Sequence, residues 1–335
     1  MYKWLDPAPP TVERPPARAP AAVLKGSIGV ARLDERLAAA PEAVRRGWLS
    51  RALVHESVAS LRLNGFYVTA GDLTLMLSDT IDRAPDHDLG RAASIHRMLA
   101  SMTRRHSKNL FRPRRLIALT QLRLRGHSDN VDDSMPDWLR QRRRDPVEMR
   151  DALEQALDPA AVAAWALLSP LEASAAIVAR WHATGAADVI GAAPGRALAM
   201  AWAPRAGLTS GYYLLPSIGF LGHASSYRPD LEARWSGVFL EACERAAGWG
   251  FNLHTTLNAA YRRMHEAAPG RRSTSRMARL IDLLIASPAM SSEGAAQSLG
   301  VTRHAARGLL LRLEKKGLVH ELTGRGSFRL YGLPH

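Results

Sequence analysis

The chain has 335 residues, enough for two or three domains, and 47% of them are hydrophobic, so a sizeable core can be buried and global disorder is excluded. Its formal net charge of +14 attracts polyanions, nucleic acid first and an anionic membrane surface second, the Arg- and Ala-rich usage of a high-GC genome being the plainer source of such a charge. The single cysteine, Cys243, excludes an internal disulfide and a cysteine-based zinc site and fits a reducing cytosol.

The first residues show no charged-then-apolar signal pattern, and no run of about twenty apolar residues is present to span a bilayer. A cytoplasmic protein without a membrane partner is therefore expected. Residues 1–25 carry six prolines and few apolar anchors, which predicts an extended, flexible tail. From residue 26 the pattern turns helical. Val30, Leu33 and Leu37 keep the spacing of one buried face, and Leu49, Ala52, Leu53 and Ser57 continue it in the next helix. Asn64-Gly65 ends that helix, with Gly as its left-handed cap. Thr69 or Gly71-Asp72 opens another, and Leu89 to Met102 forms a fourth.

This N-terminal helical region is expected to run to residue 130, followed by a basic linker or loop over 131–146 that holds Arg140, Arg142, Arg143 and Arg144. A middle helical region over 147–268 follows. Inside it, the Gly and Pro residues between Gly191 and Gly222 predict loops, with a short hairpin around Tyr212 to Ile218. Trp165, Trp181, Trp202, Trp235, Trp249 and Cys243 read as core. His127, Asp129, Asp132 and Asp133 lack the spacing of a hard-metal loop and read as a solvated segment. The Gly191–Gly195 stretch lacks the Lys and the glycine pattern of a nucleotide loop. No cofactor is expected.

Residues 269–275 form a second linker, and 276–335 carry the most information. Met277, Leu280, Ile281 and Leu284 define a first amphipathic helix that Pro288 stops. Ser291 or Ser292 caps a short second helix ending at Gly300, and Thr302 caps a third in which Ala306, Leu309, Leu310 and Leu313 face inward. Ala296 is small where the two helices cross, and Gly300 permits the sharp turn between them. The third helix then shows Thr302, Arg303, His304 and Arg307 outward at its N-terminal half, the part that enters a major groove. Arg can bond guanine O6 and N7 together. After Gly317, two strands around Thr323-Gly324-Arg325-Gly326-Ser327 read as a hairpin wing, with Arg325 and Arg329 placed for phosphates or the minor groove. From Arg271 onward eleven Lys or Arg stand against four acids, a net +7.

The expected architecture is thus mostly α: a helical N-terminal and middle region followed by a C-terminal winged helix-turn-helix. The expected function is sequence-specific binding of double-stranded DNA as a transcriptional regulator, not an enzyme. A homodimer is one arrangement this allows.

The Ala31-Arg32-Leu33-Asp34-Glu35-Arg36-Leu37 helix, the Ser60-Leu61-Arg62-Leu63-Asn64-Gly65 stretch and the C-terminal module resemble a family of helical proteins of unknown function from rhizobia and related alphaproteobacteria. Those proteins are often plasmid-borne and end in a DNA-binding helix-turn-helix, which implies transcriptional control. The layout also resembles Fic-type AMP-transferases at a distance. Ser60, Asn64 and Gly65 fit their inhibitory pattern Ser/Thr-x-x-x-Glu-Gly/Asn, with Asn64 where Glu is required. The Fic catalytic signature is missing, and the chain has no Gly-Asn dipeptide for the phosphate loop. The second reading that this resemblance implies is a Fic-fold pseudoenzyme that binds a nucleotide or protein partner and uses the winged helix for packing.

Overall fold

The computed structural model describes residues 19–78, 87–104, 110–114, 116, 146–229, 234–267, 276–324 and 329–334. The 127–133 polar cluster, the arginines of 140–144 and the linker 269–275 lie outside them, as does Arg325. Helix α1 (Ala19–Ala38) is followed by α2 (Glu42–Arg62), α3 (Ala70–Leu77) and α4 (His87–Thr103). The helix begins inside the segment expected to be an extended tail, which corrects the boundary at residue 25. Pro20 stands in its first turn, where the missing N–H would have no intrahelical acceptor, and Ala21 and Ala22 then favour helix.

The middle region holds α5 (Pro146–Ala156), α6 (Pro159–Trp165), α7 (Pro170–Ala183), α8 (Ala186–Val189), α9 (Ala192–Arg205), α10 (Pro216–Gly219) and α11 (Trp235–Ala267). Helix α9 overturns the loop expected from the Gly and Pro density after Gly191. Pro194 occupies its first turn, where the missing N–H has no intrahelical acceptor, and Pro204 stands inside its last turn, where one intrahelical bond is given up. All residues from Ala193 to Ala203 are buried, so the helix has no polar face and shows no period. Gly195 lets it close on α7: a Cβ there would stand 2.5 Å from the Trp181 ring. The hairpin expected at Tyr212 to Ile218 is also absent, the segment instead leading into α10.

Helix α11, 33 residues and so about 50 Å long, packs against α1, α2, α7 and α10. Leu33 of α1 and Trp48 of α2 close over its Gly250, where a Cβ would meet Leu33 at 2.6 Å, and the Trp48 indole donates to Gly250 O at 2.8 Å. The N-terminal and middle regions share this core, which contains Leu33, Trp48, Met98, Trp181 and Trp202. Trp235, Phe239 and Cys243 fill a second cluster beside it.

Helix α2 is buried along most of its length and carries two charged or polar contacts into the body. The Glu56 carboxylate accepts from Ser217 N at 2.9 Å and Ile218 N at 3.1 Å. Burial drives its pKa up to about 7, against the opposing pull of those donors and of Arg196. Arg196, 1% exposed, donates to Ser60 Oγ, Ser60 O, Asn64 Oδ1 and the Tyr227 hydroxyl. The Ser60–Gly65 stretch therefore ends α2 and satisfies a buried cation, with Gly65 at φ 85° as expected from the sequence. Among the described residues no helix is long and apolar enough to cross a membrane.

Candidate nucleic-acid interface

Three helices and a small sheet follow: α12 (Arg276–Ala286), β1 (Met290–Ser291), α13 (Ser292–Leu299), α14 (Arg303–Lys315), β2 (His320–Glu321) and β3 (Leu330–Gly332). Helix α12 buries Met277, Leu280, Ile281, Leu284 and Ile285 and stops before Pro288. Ser291 Oγ caps α13 by accepting from Gly294 N at 3.0 Å. Ala295, Ala296 and Leu299 face inward, and Gly300 turns the chain at φ 63°. Thr302 Oγ1 then accepts from Ala305 N at 3.2 Å and starts α14. The caps and the turn are those expected from the sequence.

Along α14, Ala306, Leu310 and Leu313 are buried at i, i+4, i+7, while Leu309 is only partly buried. The opposite face carries Arg303, His304 and Arg307, all exposed, with exposed Thr302 at its start. Arg303 and Arg307 stand one turn apart. The capping oxygen of Thr302 is occupied by Ala305 N, which leaves its hydroxyl hydrogen for an outside acceptor.

The sheet has three antiparallel strands in the order β1-β3-β2, one more than the hairpin expected. Met290 pairs with Tyr331, and His320 with Gly332. Two residues between Pro288 and a helix cap are too few to show the period of a strand, so β1 left no sequence signal. Burial works against the charge of the Glu321 carboxylate, but hydrogen bonds from Thr323 and Gly324 and the nearby Arg329 outweigh it and hold its pKa low. Arg329 is thus half-buried beside an acid, less available to a phosphate than its position in the sequence suggested.

The seat of this unit on the body lies outside what the helical and capping patterns predict. Helix α12 packs on α2 and α11. Its last carbonyls have no intrahelical donors, and α2 supplies them. Arg51 Nη1 donates to Ile285 O at 2.7 Å, Arg51 Nη2 to Ser287 O at 2.9 Å and Ser50 Oγ to Ala286 O at 2.9 Å. Burial lowers the Arg51 pKa to about 10, which still leaves it cationic at neutral pH beside the negative end of α12. The approach is close because residue 47 is glycine: a Cβ would lie 2.1 Å from Ile285 O. The one available signal was that glycine, in the middle of a helical pattern, where it costs about 1 kcal/mol and so marks a close contact. His265 Nε2 and Asp282 at 3.0 Å, and Lys316 Nζ to Ala267 O at 2.6 Å, tie the unit to the end of α11. These contacts engage α12 and the end of α14, and they leave the Arg303–Arg307 face open.

Residues 277–333 match the family model described as "HTH DNA binding domain". A stretch of 88 residues, 26% of the chain, is 38% identical to "Uncharacterized protein y4cF" of Sinorhizobium fredii (strain NBRC 101917 / NGR234). The match spans 22% of that relative's length. The mostly helical chain therefore ends in a helix-turn-helix DNA-binding domain.

Proposed function

We propose that the chain binds double-stranded DNA sequence-specifically, reading it with α14, and acts as a cytoplasmic transcriptional regulator rather than an enzyme. The observation that carries this reading is the split of α14 into a buried face and an exposed Thr302, Arg303, His304 and Arg307 face, inside the segment matched to a DNA-binding domain. The β2–β3 pair takes the place of a wing beside the recognition helix.

A second reading is a Fic-fold pseudoenzyme that binds a nucleotide or protein partner and uses the C-terminal unit for packing. The exposure of the α14 face favours the first reading, because the packing contacts run through α12 and the far end of α14. The test is binding to a random-sequence duplex library with recovery of the retained sequences. Enrichment of one motif, with affinity falling steeply as salt rises, is the expected result. Retention of no motif, together with nucleotide-induced thermal stabilisation, would overturn it.

A further inference from the structure

We infer that the DNA footprint extends beyond the helix-turn-helix onto α2, where Arg46 and Arg279 together receive a backbone phosphate. The inference rests on the DNA-binding reading of α14. A groove of about 380 Å³ opens between the first turn of α2, helix α12 and the last turn of α13, lined by Glu42, Arg46, Arg279, Asp282 and Ser298. Arg279 donates to Ser298 O at 3.3 Å, which directs its guanidinium to the turn that leads through Gly300 and Thr302 into the recognition face. The groove is therefore linked, through the last turn of α13, to the turn that leads into α14, whose N-terminal end is the part that enters a major groove.

The charges in the groove do not cancel. Arg46, Arg279 and the neighbouring Arg45 stand against Glu42 and Asp282, with Glu42 paired to Arg45 and Asp282 in hydrogen-bond contact with His265. Arg46 and Arg279 make no ion pair among the described residues, and Arg46 is exposed. Two cations facing one opening between ordered elements suit a single polyanionic strand better than a neutral or cationic ligand. The placement of Arg46 is fixed as well. Its neighbour Gly47 touches Ile285 O, and Ser50 and Arg51 hold the end of α12 from the same stretch of α2. The body thus presents Arg46 to the DNA in a constant position relative to α14, and a phosphate contact from it would set register without reading sequence.

The experiment measures binding of the full chain to its selected duplex and to a random duplex across a salt series, for the parent, Arg46→Ala, Arg279→Ala, Glu42→Gln and Arg307→Ala. Arg46→Ala and Arg279→Ala are expected to weaken both duplexes alike, by about three- to tenfold at low salt, and each to lower the salt slope by about one. Glu42→Gln releases Arg45 and is expected to tighten both. Arg307→Ala is expected to reduce discrimination instead. If Arg307→Ala loses discrimination while the Arg46 and Arg279 variants bind as the parent does, the footprint ends at the helix-turn-helix and this inference falls while the reading of α14 stands. A parent that binds no duplex overturns both.

Discussion

Two residues on α14 have a consequence that can be measured directly. Arg303 and Arg307 lie exposed on one face, one turn apart. Replacing either with Ala is expected to cost about 1–3 kcal/mol on the selected site and little on random DNA, because a bidentate base contact is lost. Neither side chain supports the fold, so the melting temperature is expected to stay with the parent; early melting with unchanged discrimination would show that this face packs instead. Glu56 gives a second prediction, on stability. Its carboxyl is raised to about 7 from an ordinary 4.5, mainly by burial. The folded state therefore keeps a proton that the unfolded chain has lost between those two values, so its contribution is fullest below about pH 4.5 and declines as pH rises through 7. The decline amounts to roughly 3 kcal/mol, at 1.4 kcal/mol per unit. Glu56→Gln cannot ionise, and its denaturant midpoint is expected to vary less between pH 5 and pH 8 than that of the parent. Equal pH profiles would mean that Glu56 is charged throughout.

At the scale of elements, the contact between α2 and α12 depends on one missing side chain. Gly47→Val would place a Cβ against Ile285 O, so the helices must part. We expect a loss of about 2–3 kcal/mol, the range of overpacking, with weaker DNA binding, while an unchanged melting temperature would show that the docking is loose. Elements of this kind separate what can be read in a sequence from what cannot. Helices α12, α13 and α14 were legible because each is half-buried, with one apolar face at helical spacing; Pro288 stops the first, and a Ser or Thr cap and a following Gly bound the other two. Helix α9 was not, because burial on every side removes the period and its prolines sit in the first and last turns, where they mimic loop punctuation. The same contrast holds in the candidate site. The outward residues of α14 follow from helical geometry, whereas Arg51 and Ser50 hold the unit through bonds to residues more than two hundred positions away, which no local pattern records.

For the whole molecule, the apolar core is continuous. One cluster runs from Leu33 and Trp48 in the body to Leu284, Leu310 and Tyr331 in the C-terminal unit. A single cooperative thermal transition is expected, with calorimetric and van't Hoff enthalpies in agreement; two resolved transitions would mean that the unit unfolds alone. The chain is also expected to incorporate no labelled adenylate from ATP into itself or into added proteins, since it has no Gly-Asn phosphate loop. Label that survives denaturation would restore the enzymatic reading.

The grip of Arg51 and Ser50 on the end of α12 bears on the shape of the DNA site itself. A reading head on a loose tether tolerates variable distances between half-sites and loses its rotational freedom only on binding. Here that freedom is already surrendered during folding. Two copies joined through their helical bodies on one duplex would hold their α14 helices at one separation and one angular phase. Inserting about five base pairs, half a helical turn, between two half-sites would then turn the second site away from its reader, and inserting about ten would return it to the right face at the wrong distance. Adding a short Gly-Ser segment within residues 268–275 would rescue neither site, because the spacing is set by the seat of the domain on α2 and not by the length of the chain that leads to it.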